Sequence, residues 1–131
     1  MDSYQNIKIG DNLILYGFTQ EPYNALQIAD AFCLPSYREG FGMSAIEAAS
    51  LQLPVICSDA YGLADAFVDG VTGLKCKVKD VESLYKAMES YIDHPNQISR
   101  FGVNGRKRVI EKFSKELVSE AWLDYLEEKV K

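Results

Sequence analysis

The chain lacks the features that mark several protein classes. None of its apolar runs reaches the ~18 residues of a membrane-spanning helix. Its first residues, Met1-Asp2-Ser3-Tyr4-Gln5, are polar and do not follow the basic-then-apolar order of a secretion signal. Positive charge is in the minority: 14 Lys and Arg against 19 Asp and Glu leave a net charge of −5. That balance argues against binding nucleic acid or a basic, membrane-surface role. The three cysteines, Cys33, Cys57 and Cys76, are far apart in apolar runs and share no metal-ligand spacing. They read as buried reduced thiols and suggest a reducing, cytoplasmic compartment. The single histidine, His94, stands before Pro95 and reads as a helix-end residue rather than a base. No repeat and no low-complexity linker interrupts the chain. What is present is ordinary for a soluble globular protein: 131 residues, 47% hydrophobic and 25% charged, suited to one domain with one core.

Strand and helix patterns alternate along the first part. Residues 12–17, Asn12-Leu13-Ile14-Leu15-Tyr16-Gly17, predict a buried parallel strand closing on a glycine turn. Tyr23 to Ala31 predicts a short helix, and Phe32 to Pro35 the next strand. Met43 to Leu51 predicts an alanine-rich helix able to pack closely on a sheet. Pro54 to Cys57 predicts a third strand, with Pro54 suited to its first position. Leu63 to Val68 predicts a short helix ended by the Asp69-Gly70 turn, and Gly73 to Val78 a last strand. Three helices then follow. Asp80 is a candidate N-cap for Val81 to Ile92. The second helix, Pro95 to Phe113, carries Gly102 and Gly105, which weaken its middle. Ser114 is a candidate cap for the third, Lys115 to Lys131, where Leu117, Ala121, Trp122, Tyr125 and Leu126 make an apolar stripe. The expected fold class is α/β: a Rossmann-like parallel sheet over about 11–79, then C-terminal helices over about 80–131, in one domain spanning 1–131.

The chemistry concentrates in Glu39-Gly40-Phe41-Gly42-Met43-Ser44-Ala45-Ile46-Glu47. Two carboxylates, with seven residues between them, bracket a Gly-Phe-Gly turn that leads from a strand into a helix. Such a turn presents backbone N–H groups to a phosphate, and the helix dipole favours the negative charge. Glycine permits close approach of the ligand. A carboxylate at each end can accept hydrogen bonds from hydroxyls. Phosphate plus hydroxyls describes a sugar nucleotide. A competing local reading exists for Glu47: Ser44-Ala45-Ile46-Glu47 also fits a capping box, in which Glu47 would bond the helix N-cap instead.

This segment resembles the E-x7-E signature of retaining GT-B glycosyltransferases. Leu53-Pro54-Val55-Ile56-Cys57-Ser58 is similar to the family's G-x-P-V-I-A strand. The run from Tyr61-Gly62 through Asp65, Asp69-Gly70 and Thr72-Gly73-Leu74 is similar to its G-G-x-x-E-x-V-x-D-G-x-T-G-L stretch. The likeness holds in register from residue 11 to about 93. It implies that Gly40, Phe41, Gly42 and Met43 hold the donor's distal phosphate. It implies that Glu47 takes the ribose hydroxyls and that Glu39 is the catalytic residue, positioning the sugar and acting electrostatically rather than as a nucleophile. The implied donor is a nucleotide-diphosphate sugar. No separate cofactor and no metal are implied. Arg38 neighbours the site, and Tyr61 and Asp65 depart from the family's Gly and Glu.

The resemblance covers only the distal part of a donor-binding domain. Members of the family precede it with two more strand–helix units, whose loop carries an Arg and a Lys that grip the diphosphate; Lys8 stands in a different context. The acceptor-binding N-terminal domain has no counterpart here either. The implied function is therefore transfer of a sugar to a glycan or lipid-linked acceptor, in a chain inactive without its N-terminal half. The alternatives are a subunit of a split glycosyltransferase, or a non-catalytic interaction module or decayed remnant. In the strand order 3-2-1-4-5-6, the strand at Phe32 to Leu34 would lose its neighbour and become an apolar edge. That edge predicts either that the strand at Leu13 to Tyr16 slides in beside it, or that a homodimer or a partner polypeptide covers it.

Overall fold

The computed structural model describes residues 12–130, and in the last helix it leaves out the side chains at 117, 118, 122 and 130. Three parallel strands form the sheet, in the order β1 (Phe32–Leu34), β2 (Val55–Ser58), β3 (Gly73–Cys76). Phe32 lies opposite Val55 and Leu34 opposite Cys57, while Val55 faces Gly73 and Ser58 faces Cys76. All four residues of β2 are buried. This is the reason its sequence is a continuous apolar run rather than an alternating one: a central parallel strand is covered on both faces.

The alternation of side chains still divides β2 between two cores. Val55 and Cys57 point into a core with Ala45, Ile46 and Ala48 of α2 (Met43–Ser50) and with Leu63 and Phe67. Ile56 points into a second core with Cys76, with Ala87 and Tyr91 of α3 (Val81–Asp93), and with Phe101 of α4 (Pro95–Phe113). The small residues of α2 allow the close approach that their sequence suggested. Gly102 and Gly105 have the same use. α4 runs through both without a break, a Cβ on Gly102 would strike the Gln52 backbone carbonyl, and one on Gly105 would sit 3.4 Å from Ala49 Cβ. The low helix propensity of these glycines is thus offset by contact between α4 and α2. The remaining elements are a short α1 (Pro22–Leu26), a 3₁₀ turn at Tyr61–Leu63, and α5 (Lys115–Val130). Asp80 caps α3, accepting from Ser83 N–H at 3.0 Å, and His94 is the C-cap of α3, as the sequence suggested.

Three expectations require correction. The strand expected at Leu13 to Tyr16 is absent: residues 13–19 form no helix and no strand, and Ile14 and Tyr16 are 79% and 66% exposed. Strand structure needs a hydrogen-bonding neighbour, and none of the three strands offers this segment one. It therefore does not slide in beside β1, whose outer edge stays unpaired among the described residues. The helix expected from Leu63 to Val68 is instead the 3₁₀ turn, which ends at Leu63 because residues beyond it fold into turns toward the Asp69–Gly73 bridge. The helix expected from Tyr23 to Ala31 stops at Leu26. Lys8 lies outside the described residues, as do the side chains of Leu117 and Trp122; of the expected stripe on α5, Tyr125 and Leu126 are half exposed.

The cysteines are free, with Cys57 and Cys76 buried. Burial pushes the Cys57 thiol up to about 12, and the neighbouring Cys76, Cys33 and Glu39 add to the shift. Burial likewise raises Cys33 and Cys76. Because the thiolate is the reactive form, labelling of the native protein with Ellman's reagent at pH 8 should be slow and should become complete on adding urea. Fast labelling of Cys57 in the folded protein would contradict this packing. The sign for stability follows: an unfolded thiol ionises near its ordinary value of 9 while folded Cys57 does not, so stability falls as pH rises from about 9 toward 12.

Candidate donor-binding site

The site lies where β1 ends and α2 begins. Ser36 directs the loop between them. Its carbonyl accepts from the hydroxyl of Ser58, a fully buried residue at the end of β2, and its own Oγ donates to Glu39 Oε1 at 2.8 Å. Glu39 is thus held by a side-chain bond anchored on the sheet, with Oε2 left over. The backbone of Glu39 is fixed from the other side by Gly62. A Cβ on Gly62 would fall on the Glu39 carbonyl oxygen, so the loop after β2 presses directly against the loop after β1.

Gly42 makes the turn into α2. Its φ of 75° and ψ of 40° are left-handed, the conformation glycine adopts at least cost. A Cβ there would also come within 2.5 Å of Leu63 Cδ2. Gly42 is the N-cap of α2 and has no side chain to satisfy the first turn. As a result the N–H groups of Gly40, Phe41, Gly42, Met43 and Ser44 have no acceptor among the described residues; the first satisfied one is Ala45, bonded to the Gly42 carbonyl at 3.0 Å. A run of unsatisfied donors at a helix N-terminus, bent by a left-handed residue, is an anion-binding arrangement.

The start of the helix also settles the role of Ser44. With Gly42 as N-cap, Ser44 lies in the first turn and Glu47 is too far along to close a capping box. The competing reading of Glu47 is therefore corrected. Its carboxylate is half-buried and has no hydrogen bond or ion pair among the described residues. It remains available to a ligand. Arg38 is exposed and unpaired among the described residues, while Asp65 acts through its backbone carbonyl.

Sequence reasoning missed the support behind the loop. Phe41 meets Phe113 edge-on, with ring centroids 5.7 Å apart. The Arg108 guanidinium lies 5.2 Å over the same Phe113 ring and donates to the Asp65 carbonyl at 2.7 Å. One residue of α4 thereby joins the glycine loop to the loop after β2. Ser36 had a local signal in its spacing three residues before Glu39. Arg108 had none, being 43 residues from the carbonyl it bonds.

The family model described as glycosyl transferases group 1 matches residues 2–108. The chain is 34% identical over 109 residues to the capsular polysaccharide biosynthesis glycosyltransferase CapM of Staphylococcus aureus, covering 83% of this chain and 29% of CapM. It is 38% identical over 96 residues to a glycogen synthase of Mycobacterium tuberculosis, covering 73% of this chain and 23% of that enzyme. Among solved structures, a mutant of S. aureus TarM in complex with fondaparinux, alpha-GlcNAc-glycerol and UDP superposes with a TM-score of 0.77 at 28% identity. That match covers 85% of this chain and 23% of TarM. The chain spans less than a third of the length of these relatives. Its architecture, a parallel sheet with helices on both faces, is that of GT-B glycosyltransferase domains. The chain belongs to the family of glycosyl transferases group 1.

Proposed function

We propose that this chain is the distal part of a donor-binding domain in a glycosyltransferase that uses a nucleotide-diphosphate sugar. The observation that carries this reading is the pairing, among the described residues, of five N–H groups without an acceptor at the left-handed Gly42 turn with the carboxylate of Glu47, without a partner there, one turn further on. In this reading the N–H groups of Gly40 to Met43 take the distal phosphate, and Glu47 accepts from the two ribose hydroxyls, one per carboxylate oxygen. Glu39, held through Ser36, stands beside the sugar and stabilises positive charge as it develops at the anomeric carbon. Transfer proceeds with retention. The bond from the anomeric carbon to the phosphate oxygen breaks, the acceptor hydroxyl bonds to the same face, and its proton passes to the leaving phosphate.

The acceptor, a glycan or lipid-linked sugar, is held by an N-terminal half that this chain does not itself provide, so the chain alone is inactive. That half, or a second copy of the chain, covers the outer edge of β1. The UDP in the TarM complex supports a nucleotide as the ligand. No helix among the described residues is long and apolar enough to cross a membrane.

Calorimetric titration with UDP, GDP and ADP tests the donor site. One nucleotide should bind, and Glu47→Ala should weaken it about tenfold to a hundredfold, the loss of a charge-assisted hydrogen bond. Equal binding by the variant would remove Glu47 from the site. Silence with all three nucleotides in the folded chain would count against the donor reading.

A further inference from the structure

A cavity of about 400 Å³ opens beside the 3₁₀ turn, lined in part by Ser58, Asp59, Tyr61, Asp69 and Lys75. None of the residues assigned to the donor lines it. We infer that this cavity binds a neutral sugar ring, and that in the enzyme proposed above the ring is one sugar of the acceptor, reaching this half from the N-terminal half that holds the rest.

Three features of the lining carry the assignment. Tyr61 is fully exposed, its ring at the rim with nothing packed on it. An aromatic face with a phenol handle suits the apolar face of a pyranose and one of its hydroxyls. Two carboxylates are held rigidly, each by one oxygen: Asp59 Oδ1 accepts from Val78 N–H at 2.8 Å, and Asp69 Oδ1 accepts from Lys75 N–H at 2.9 Å. Each keeps a second oxygen for a sugar hydroxyl. The Lys75 ammonium has no ion pair among the described residues and can donate to a ring or hydroxyl oxygen. Leu63 and Phe67 supply an apolar floor. A few fixed polar groups around an apolar base is the usual make-up of a small-molecule site, and the volume falls in the roughly 300–1,000 Å³ range of such sites.

The charge of the lining selects the ligand class. Two carboxylates against one ammonium repel a phosphate, which separates this cavity from the N–H groups at Gly40 to Met43. The two places are nonetheless coupled. Tyr61 precedes Gly62, whose backbone abuts the carbonyl of Glu39. A sugar stacked on Tyr61 is therefore bound on the loop that touches the candidate catalytic carboxylate.

The ¹⁵N-labelled chain, titrated separately with maltotriose, N-acetylglucosamine and UDP, tests this. At least one of the two sugars should shift the amides of Asp59, Tyr61, Asp69 and Lys75, and UDP those of Gly40 to Met43. Tyr61→Ala, a truncation of an exposed side chain, should weaken sugar binding about tenfold while leaving the UDP response in place. Asp69→Asn, which keeps the acceptor for Lys75 N–H, should weaken it as well. No response at these amides to either sugar up to about 50 mM, which would detect even the weakest useful affinity, overturns the inference; so does a sugar response unchanged in Tyr61→Ala. Sugar shifts without any UDP response would support the cavity and overturn the donor reading.

Discussion

Replacing Gly62 with alanine is expected to destabilise the protein by about 3 kcal/mol, the upper part of the usual range for overpacking, and to abolish nucleotide binding. The backbone at Gly62 is not left-handed, so alanine meets no conformational barrier there. The cost is steric alone. A methyl group would occupy the position of the Glu39 carbonyl oxygen and crowd that of Gly40. A flexible side chain could swing away, but backbone cannot, and this loop is pinned by Ser36 to buried Ser58. Either the loop after β1 or the turn after β2 must shift. Both outcomes displace the N–H groups of Gly40 to Met43. Urea denaturation and UDP titration of the same sample would measure the two effects. A variant with wild-type stability and affinity would show that the two loops do not touch as described.

Phe101→Ala should cost about 3–5 kcal/mol, the range for removing a large aromatic from a core. Phe101 is 2% exposed and meets Tyr91 edge-on at 6.2 Å. Tyr91 in turn donates its phenol hydrogen to the Val55 carbonyl at 2.8 Å, in the central strand. Removing the Phe101 ring leaves a void beside that buried hydrogen bond, and Tyr91 loses the packing that orients it. Domains of this size have about 5–15 kcal/mol of stability in total. The variant should therefore lose a large fraction of its urea resistance, with nucleotide affinity unchanged below the transition. A loss under about 1 kcal/mol, the size of an average substitution, would mean that Phe101 is not a core residue.

The glycine turn between Glu39 and Glu47 was legible because its geometry is local. The interval from Glu39 to Glu47 holds one turn and the start of one helix, and glycine spacing announces both. The strand at Val55 was the plainest of the three, since a parallel strand buried along its whole length reads as a short apolar run. Leu13 to Tyr16 has the same composition and is not a strand. Apolar character is a property of the segment, whereas strand pairing depends on a neighbour elsewhere in the chain. Gly102 and Gly105 show the opposite error. By propensity they weaken a helix, and only the Gln52 backbone and Ala49, on the far side of the contact, reveal why they are there. Ser44 and Glu47 matched a capping box by spacing, yet the helix starts earlier because Gly42 adopts a left-handed conformation. Arg108 could not be found from sequence, because the carbonyl it bonds is brought near only by the complete fold.

α4 touches both sides of the sheet: Ile98 and Phe101 belong to the core under α3, while Val109 and Phe113 pack against the core under α2. The two cores consequently cannot melt one after the other. Detaching the first turns of α4 exposes one core, and detaching its last turns exposes the other, so a continuous helix makes each loss propagate into its neighbour. Amide protons of α2 and α3, although they lie on opposite faces, should exchange with solvent through the same global opening. The donor loop inherits that cooperativity through Phe113 and Phe41, and its order is tied to the integrity of the whole domain rather than to the eight residues of α2 alone.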